Sequence, residues 1–329
     1  MNRLLVAVCA TPLLGNSHAT NAQAASTGSG QAFPSKPIRI IAPFAPGAGT
    51  DTLARTLSGP LSKALGQSVI VENRPGAGTV VGTEVAARSP GDGHTVLIVA
   101  NSFTINPAVR SRLPYDALKD FSAVARIAST PMVLAVHPSA PVKSVKDLIA
   151  LARARPGELT YASSGAGTGH HLAGELLKSL AKIDMIHVPY PGGAPATIAV
   201  LGGHTTLLLV NVLSVAPFVA SGRLRPIAVT APERVEALKD VPTVAESGFP
   251  GFDTSIWFGS VVPAGTPKEA IAKLSTEILR ALQLPEVKDI IAKVGLNAAG
   301  MGAAEFDTFL RTELRNNEKV ARAVNLRID

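Results

Sequence analysis

Four times along this chain an apolar run leads into a glycine-rich turn and then into a stretch with helical spacing. The turns are Pro46-Gly47-Ala48-Gly49-Thr50-Asp51, Pro75-Gly76-Ala77-Gly78-Thr79, Ser163-Ser164-Gly165-Ala166-Gly167-Thr168 and Tyr190-Pro191-Gly192-Gly193-Ala194. Strand, turn and helix repeated in this way is the pattern of an α/β fold with a largely parallel sheet. The alternation extends beyond these four units. Residues 38–42 read as a strand, and Leu53, Leu57, Leu61 and Leu65 follow at the spacing of one helix face. Further strands are expected at 68–72, 95–100, 132–136, 159–162, 186–188, 206–210 and 226–230. Helices are expected at 83–88, 142–154, along Leu172, Leu176 and Leu180, at 268–282 and from 304 onward. The chain has 329 residues. Single hydrophobic cores stop growing at roughly 250–300 residues, so two lobes are expected.

The turns also carry a chemical implication. A helix N-terminus leaves backbone N–H groups without partners and holds about half a positive charge, so a carboxylate gains both hydrogen bonds and dipole stabilisation there. Glycine lets a ligand approach the backbone, and Thr or Ser hydroxyls add donors. The competing reading is that the turns are ordinary caps, with Thr50 or Asp51 capping the first helix. In open α/β sheets ligands bind beyond the carboxyl ends of the strands, where such turns lie.

Other chemistries find little support. No G-x-x-x-x-G-K-[ST] occurs, and His170 stands where the dinucleotide fingerprint needs a third glycine after Gly165 and Gly167. Neither G-x-S-x-G nor H-E-x-x-H is present. His170 and His171 are adjacent and point about 100° apart on a helix, so they cannot chelate one metal together. A local hydrogen bond is the expected role of His170. Trp257 and Phe258 are expected in packing, while Tyr190 is open between packing and ligand contact. No catalytic residue, metal or cofactor is therefore expected. The formal charge is +7, spread along the chain, and aromatics are 4% of residues, which argues against nucleic acid and fits a small anion.

Residues 1–25 carry a positive charge at Arg3, an apolar stretch over 4–14 and small residues leading to Ala22-Gln23-Ala24. They read as a secretory signal peptide cleaved after Ala24 or Ala25, followed by a flexible linker at 26–33. The apolar stretch is short of the roughly 20 residues a membrane helix needs. Cys9 is the only cysteine, so the mature chain is expected to lack disulfides, thiolate metal sites and cysteine nucleophiles.

The chain resembles the Bug-type extracytoplasmic receptors, the periplasmic component of tripartite tricarboxylate transporters. The resemblance is carried by Pro34-Ser35-Lys36-Pro37-Ile38-Arg39, by the first turn, and by Val71-Glu72-Asn73-Arg74-Pro75-Gly76-Ala77-Gly78. Leu113-Pro114-Tyr115-Asp116, the third turn with His171-Leu172-Ala173-Gly174-Glu175-Leu176, and His187-Val188-Pro189-Tyr190 continue it. Pro242-Thr243-Val244-Ala245-Glu246-Ser247-Gly248 and Pro263-Ala264-Gly265-Thr266-Pro267 complete it.

The resemblance implies a two-lobed Venus-flytrap receptor of type II-like topology with two interlobe crossovers, near 130–133 and 254–257. Residues 34–131 with 256–329 would form one lobe and 132–255 the other. A ligand carboxylate would be held through Ala48, Gly49, Thr50 and Asp51 from the first lobe and Ser164, Gly165, Ala166, Gly167 and Thr168 from the second. Phe44, Ser102, Tyr190 and Asn211 complete the expected lining. The implied partners are a small carboxylate and the membrane subunits of the transporter, with the receptor a periplasmic monomer and not an enzyme. Pro191 stands where lysine is frequent in the family, and Val210-Asn211 replaces a common Asp-Asn pair; the lost acid at Val210 favours a non-amino organic acid. A receptor feeding a membrane sensor, or an enzyme acting on a small organic acid, are the alternatives.

Overall fold

The computed structural model describes residues 33–328. The expected leader and residues 26–32 of the linker lie outside them. The chain begins β1 (Ile38–Ala42), α1 (Gly49–Leu65), β2 (Val69–Asn73), α2 (Val80–Ala87), β3 (Thr95–Ala100) and α3 (Ser102–Val109). β4 (Phe121–Val136) is followed by α4 (Val145–Ala154), β5 (Thr160–Ser163), α5 (Gly169–Ala181), β6 (Ile186–Pro189) and α6 (Gly193–Leu201). Next come β7 (Leu207–Asn211), α7 (Val212–Ala220), β8 (Arg225–Val229) and β9 (Ser255–Pro263). The chain closes with α8 (Lys268–Ala281), α9 (Pro285–Lys293), β10 (Asn297–Met301) and α10 (Ala303–Ala323).

The strands form two sheets that share β4. One runs β2-β1-β3-β9-β4 with β10 also on β4, and the other runs β4-β7-β5-β6 with β8 also on β4. β1 lies parallel to β2 and β3, and β5 parallel to β6 and β7. Parallel neighbours need a crossover of a dozen or more residues, and the helices supply it. β3 is buried at all six positions, as expected of a strand covered on both faces. Leu53, Leu57, Leu61 and Leu65 are buried in the core, as their spacing predicts.

All four glycine-rich turns open a helix, the second through a short 3-10 turn. Two local expectations change. The N-cap of α1 is Ala48, not Thr50 or Asp51; Asp51 lies inside the first turn, and its Oδ2 accepts from Gly47 N at 2.8 Å. On α5 Leu172 is buried and Leu176 packs on the core as expected, but Leu180 is 50% exposed, and the buried face also takes in Ala173, Leu177 and Ala181.

β4 is a 16-residue strand. Its first part, through Pro131, pairs with β9, and residues from Met132 on pair with β7 and β8. Beside that handover the chain passes from Thr254 into β9. Thr230 joins the two passages. Its N–H donates to Met132 O at 2.9 Å and its carbonyl accepts from Thr254 N at 3.1 Å. Its Oγ1 accepts from Met132 N at 3.1 Å and donates to Thr254 O.

Candidate functional site

A cavity of about 350 Å³ opens between the carboxyl ends of the two sheets. Its wall includes the first residues of five helices: Gly49 and Thr50 of α1, Ser102 of α3, Gly169 and His170 of α5, Gly193 and Ala194 of α6, and Asn211 at the head of α7. First-turn N–H groups have no intrahelical partner, and each helix dipole adds positive potential at this end. Phe44, Ile256, Phe258 and Val294 supply apolar wall, and no Asp, Glu, Lys or Arg is among the lining residues.

Glycine at three of these helix starts has a steric reason. A Cβ on Gly49 would lie 2.7 Å from Phe258 Cζ, one on Gly169 2.5 Å from Ile256 Cδ1, and one on Gly193 2.8 Å from Ser214 Oγ. The helices therefore approach the wall as closely as backbone allows. Thr50 is fully buried, and its Oγ1 has no hydrogen-bond partner among the described residues. An unpaired buried hydroxyl costs about 1–3 kcal/mol.

Of the residues expected from sequence, Phe44, Ala48, Gly49, Thr50, Ser102, Ser164, Thr168 and Asn211 line the cavity. Asp51, Gly165, Ala166, Gly167 and Tyr190 are outside the lining. Asp51 braces the first turn from behind. Burial pushes its carboxyl up, but Gly47 N–H, Arg55 and Asn73 outweigh that and hold it below the usual range. Asn73 donates to Asp51 Oδ1 at 3.0 Å and to Phe44 O at 3.1 Å. The second-lobe turn packs across the cleft: a Cβ on Gly78 would lie 2.2 Å from Ala166 O, and one on Gly167 2.4 Å from Asn106 Oδ1. Thr168 spends its hydroxyl on capping, donating to Gly165 O at 2.7 Å and accepting from His171 N at 3.4 Å. Tyr190 packs on the core of the second sheet.

The structure adds residues that sequence reasoning did not select. Asn101 lines the cavity with its amide committed to β9, accepting from Trp257 N at 2.7 Å and donating to Ser255 O at 3.0 Å. Phe258, expected only in packing, is both core and cavity wall. Trp257 is packing, against Phe306 and Phe309, with its indole N–H donating to Glu313 at 2.8 Å.

His170 makes the expected local hydrogen bond, with Nδ1 2.6 Å from Ser164 Oγ, and a long-range one, with Nε2 2.7 Å from Asn211 Oδ1. The connectivity is that of nucleophile, base and orienter, a grouping invisible in the sequence. Burial pushes His170 down to about 4, which disfavours the imidazolium that acyl transfer would form, and the third member is an uncharged amide. His171 and His187 stack at 3.8 Å behind the turn, and burial lowers them to about 4 and about 3. No group of three His, Cys, Asp or Glu suited to a metal occurs among the described residues.

Known proteins share the sequence pattern and the fold. A family model described as "Tripartite tricarboxylate transporter family receptor" matches residues 53–326. The UPF0065 protein in the tcbD-tcbE intergenic region of Pseudomonas sp. (strain P51) is 38% identical over 275 residues, 83% of this chain and 82% of that one. Protein BugT of Bordetella pertussis is 35% identical over 304 residues, 91% and 93% of the two chains. Among solved structures, R. palustris Rpa4515 with adipate matches with a TM-score of 0.85 at 34% identity, covering 90% of this chain and 99% of that one. MatC from Rhodopseudomonas palustris with bound malate matches with a TM-score of 0.82 at 29% identity, covering 88% and 99%.

Proposed function

This chain belongs to the family of tripartite tricarboxylate transporter receptors, and from that premise we propose that it binds a small carboxylate in the cleft and delivers it to a membrane transporter. The observation that carries the reading is the cavity itself, where five helix starts converge on a space without a charged side chain. The carboxylate sits against Ala48, Gly49 and Thr50, where α1 offers N–H groups and dipole together. Adipate and malate in the two neighbours support a small organic acid. Residues 34–131 with 256–329 form one lobe and 132–255 the other; the handover of β4 and the adjacent passage at Thr254 support that division. The periplasm is the compartment, following the family. The receptor returns its ligand unchanged, in keeping with a His170 that burial holds neutral.

A thermal-shift screen of refolded protein tests this against mono-, di- and tricarboxylates, amino acids and aromatic acids. Ligand that binds only the native state adds roughly 2.7 kcal/mol at a hundredfold excess over its dissociation constant, a shift of several degrees for one acid class. Absence of a shift with every acid, in protein shown to be folded, would refute carboxylate binding.

A further inference from the structure

The segment that follows α10 reaches the second-lobe turn. α10 gives way to Asn325 in the left-handed region, at a φ of 50°, and Leu326 N–H donates back to Ala321 O at 2.8 Å, so the chain reverses sharply. It then lies along the end of α3. The last carbonyls of a helix have no intrahelical partner, and Val109 O, at the end of α3, accepts from Ile328 N at 2.7 Å. Residues 325–328 are thus tied at both ends to elements of the first lobe.

Their side chains meet the second lobe. Ile105 and Val109 of α3, Ala321 of α10, and Leu326 and Ile328 form a small hydrophobic cluster, separate from the larger cores, together with Leu172 of α5. Leu172 is the member contributed by residues 132–255, and it is 8% exposed. Ile328 also lies over the turn itself: a Cβ on Gly167 would be 3.6 Å from Ile328 Cδ1. The contact stands about 12 Å along α3 from Asn101, at the rise of about 1.5 Å per helical residue. Asn101 is bonded to β9 beside the crossing, so lobes that rotate about the crossings part the contact.

We propose that residues 325–328 form a strap of the first lobe that clasps the second and raises the population of the shut form. The apparent affinity of a receptor scales with the fraction in its binding-competent form, so the strap sets how firmly the cleft retains a ligand that it does not touch. The inference rests on the division into two lobes proposed above and on no particular ligand.

Pulsed electron-spin distance measurement tests it with no ligand added. Without the expected leader the chain has no cysteine, so Ser179→Cys on α5 and Lys319→Cys on α10, both exposed, carry the two spin labels. The labelled parent should show a shorter and a longer distance component. Ile328→Ala should lower the ratio of short to long about fivefold, and Leu172→Ala should act in the same direction from the other lobe. Ile328→Val keeps most of the contact and should stay within about twofold of the parent. A ratio that Ile328→Ala and Leu172→Ala leave unmoved, or a parent with no short component, would overturn the strap and leave movable lobes in place. One component, the same in every variant, would refute the movable lobes and the strap with them. Urea unfolding accompanies each variant: a lowered midpoint with an unmoved ratio would make Ile328 a packing residue of one lobe and overturn its role as a clasp.

Discussion

At the scale of single residues, the cleft is built by omission: three glycines without side chains and one threonine without a partner. Thr50→Val keeps the volume and removes the hydroxyl. Because Thr50 Oγ1 is buried and unpaired, the variant should be no less stable in urea, yet bind the cognate acid about tenfold more weakly. Loss of stability without loss of affinity would mean that the hydroxyl serves the fold. Gly49→Ala makes the converse case. Its Cβ would lie 2.7 Å from the ring of Phe258, which is 3% exposed and has little room to yield. Overpacking of this kind costs about 1–3 kcal/mol, so both the melting temperature and binding should fall.

At the scale of elements, β4 is the piece on which the architecture turns, and Thr230 is the residue that binds it to the neighbouring passage. Thr230→Val removes the acceptor of Met132 N–H and the side-chain donor to Thr254 O, in a residue with no exposure. Urea unfolding should show a loss of about 1–3 kcal/mol, the cost of buried groups left unpaired; an unchanged midpoint would mean that the two passages hold without it. Only the last five residues of β4 were legible in the sequence. Proline falls where the pairing changes hands, but Pro131 still pairs with Ser255 and the strand continues through it. β10 was missed for a different reason. Asn-Ala-Ala-Gly-Met has no β-branched residue, and its extended form is decided by pairing with β4 rather than by propensity. The glycine-rich turns were legible because their signal is local: backbone that must turn sharply and then start a helix.

At the scale of the whole molecule, two buried histidines and a half-buried one make stability depend on pH. His170 and His171 are pushed to about 4 and His187 to about 3, with Lys178 opposing and Glu175 favouring protonation of His187. In the unfolded chain each titrates near 6.5. The native state thus binds fewer protons between those limits, and stability should fall as pH drops from 7 towards 4. Urea unfolding at pH 7, 6 and 5 should lose a few kcal/mol in total; a flat profile would contradict neutral burial of the three rings. The cleft was only half legible at this scale, because Phe258, Ser214 and Val294 meet across distances no local pattern encodes. The uncharged lining has a further consequence for exchange with the surroundings. If the ligand is the proposed carboxylate, it meets no charged side chain in the lining, so affinity should change less between low and physiological ionic strength than it would for an exposed ion pair. Release then requires only that the lobes part and water re-enter, with no counter-charge left behind to call the cargo back.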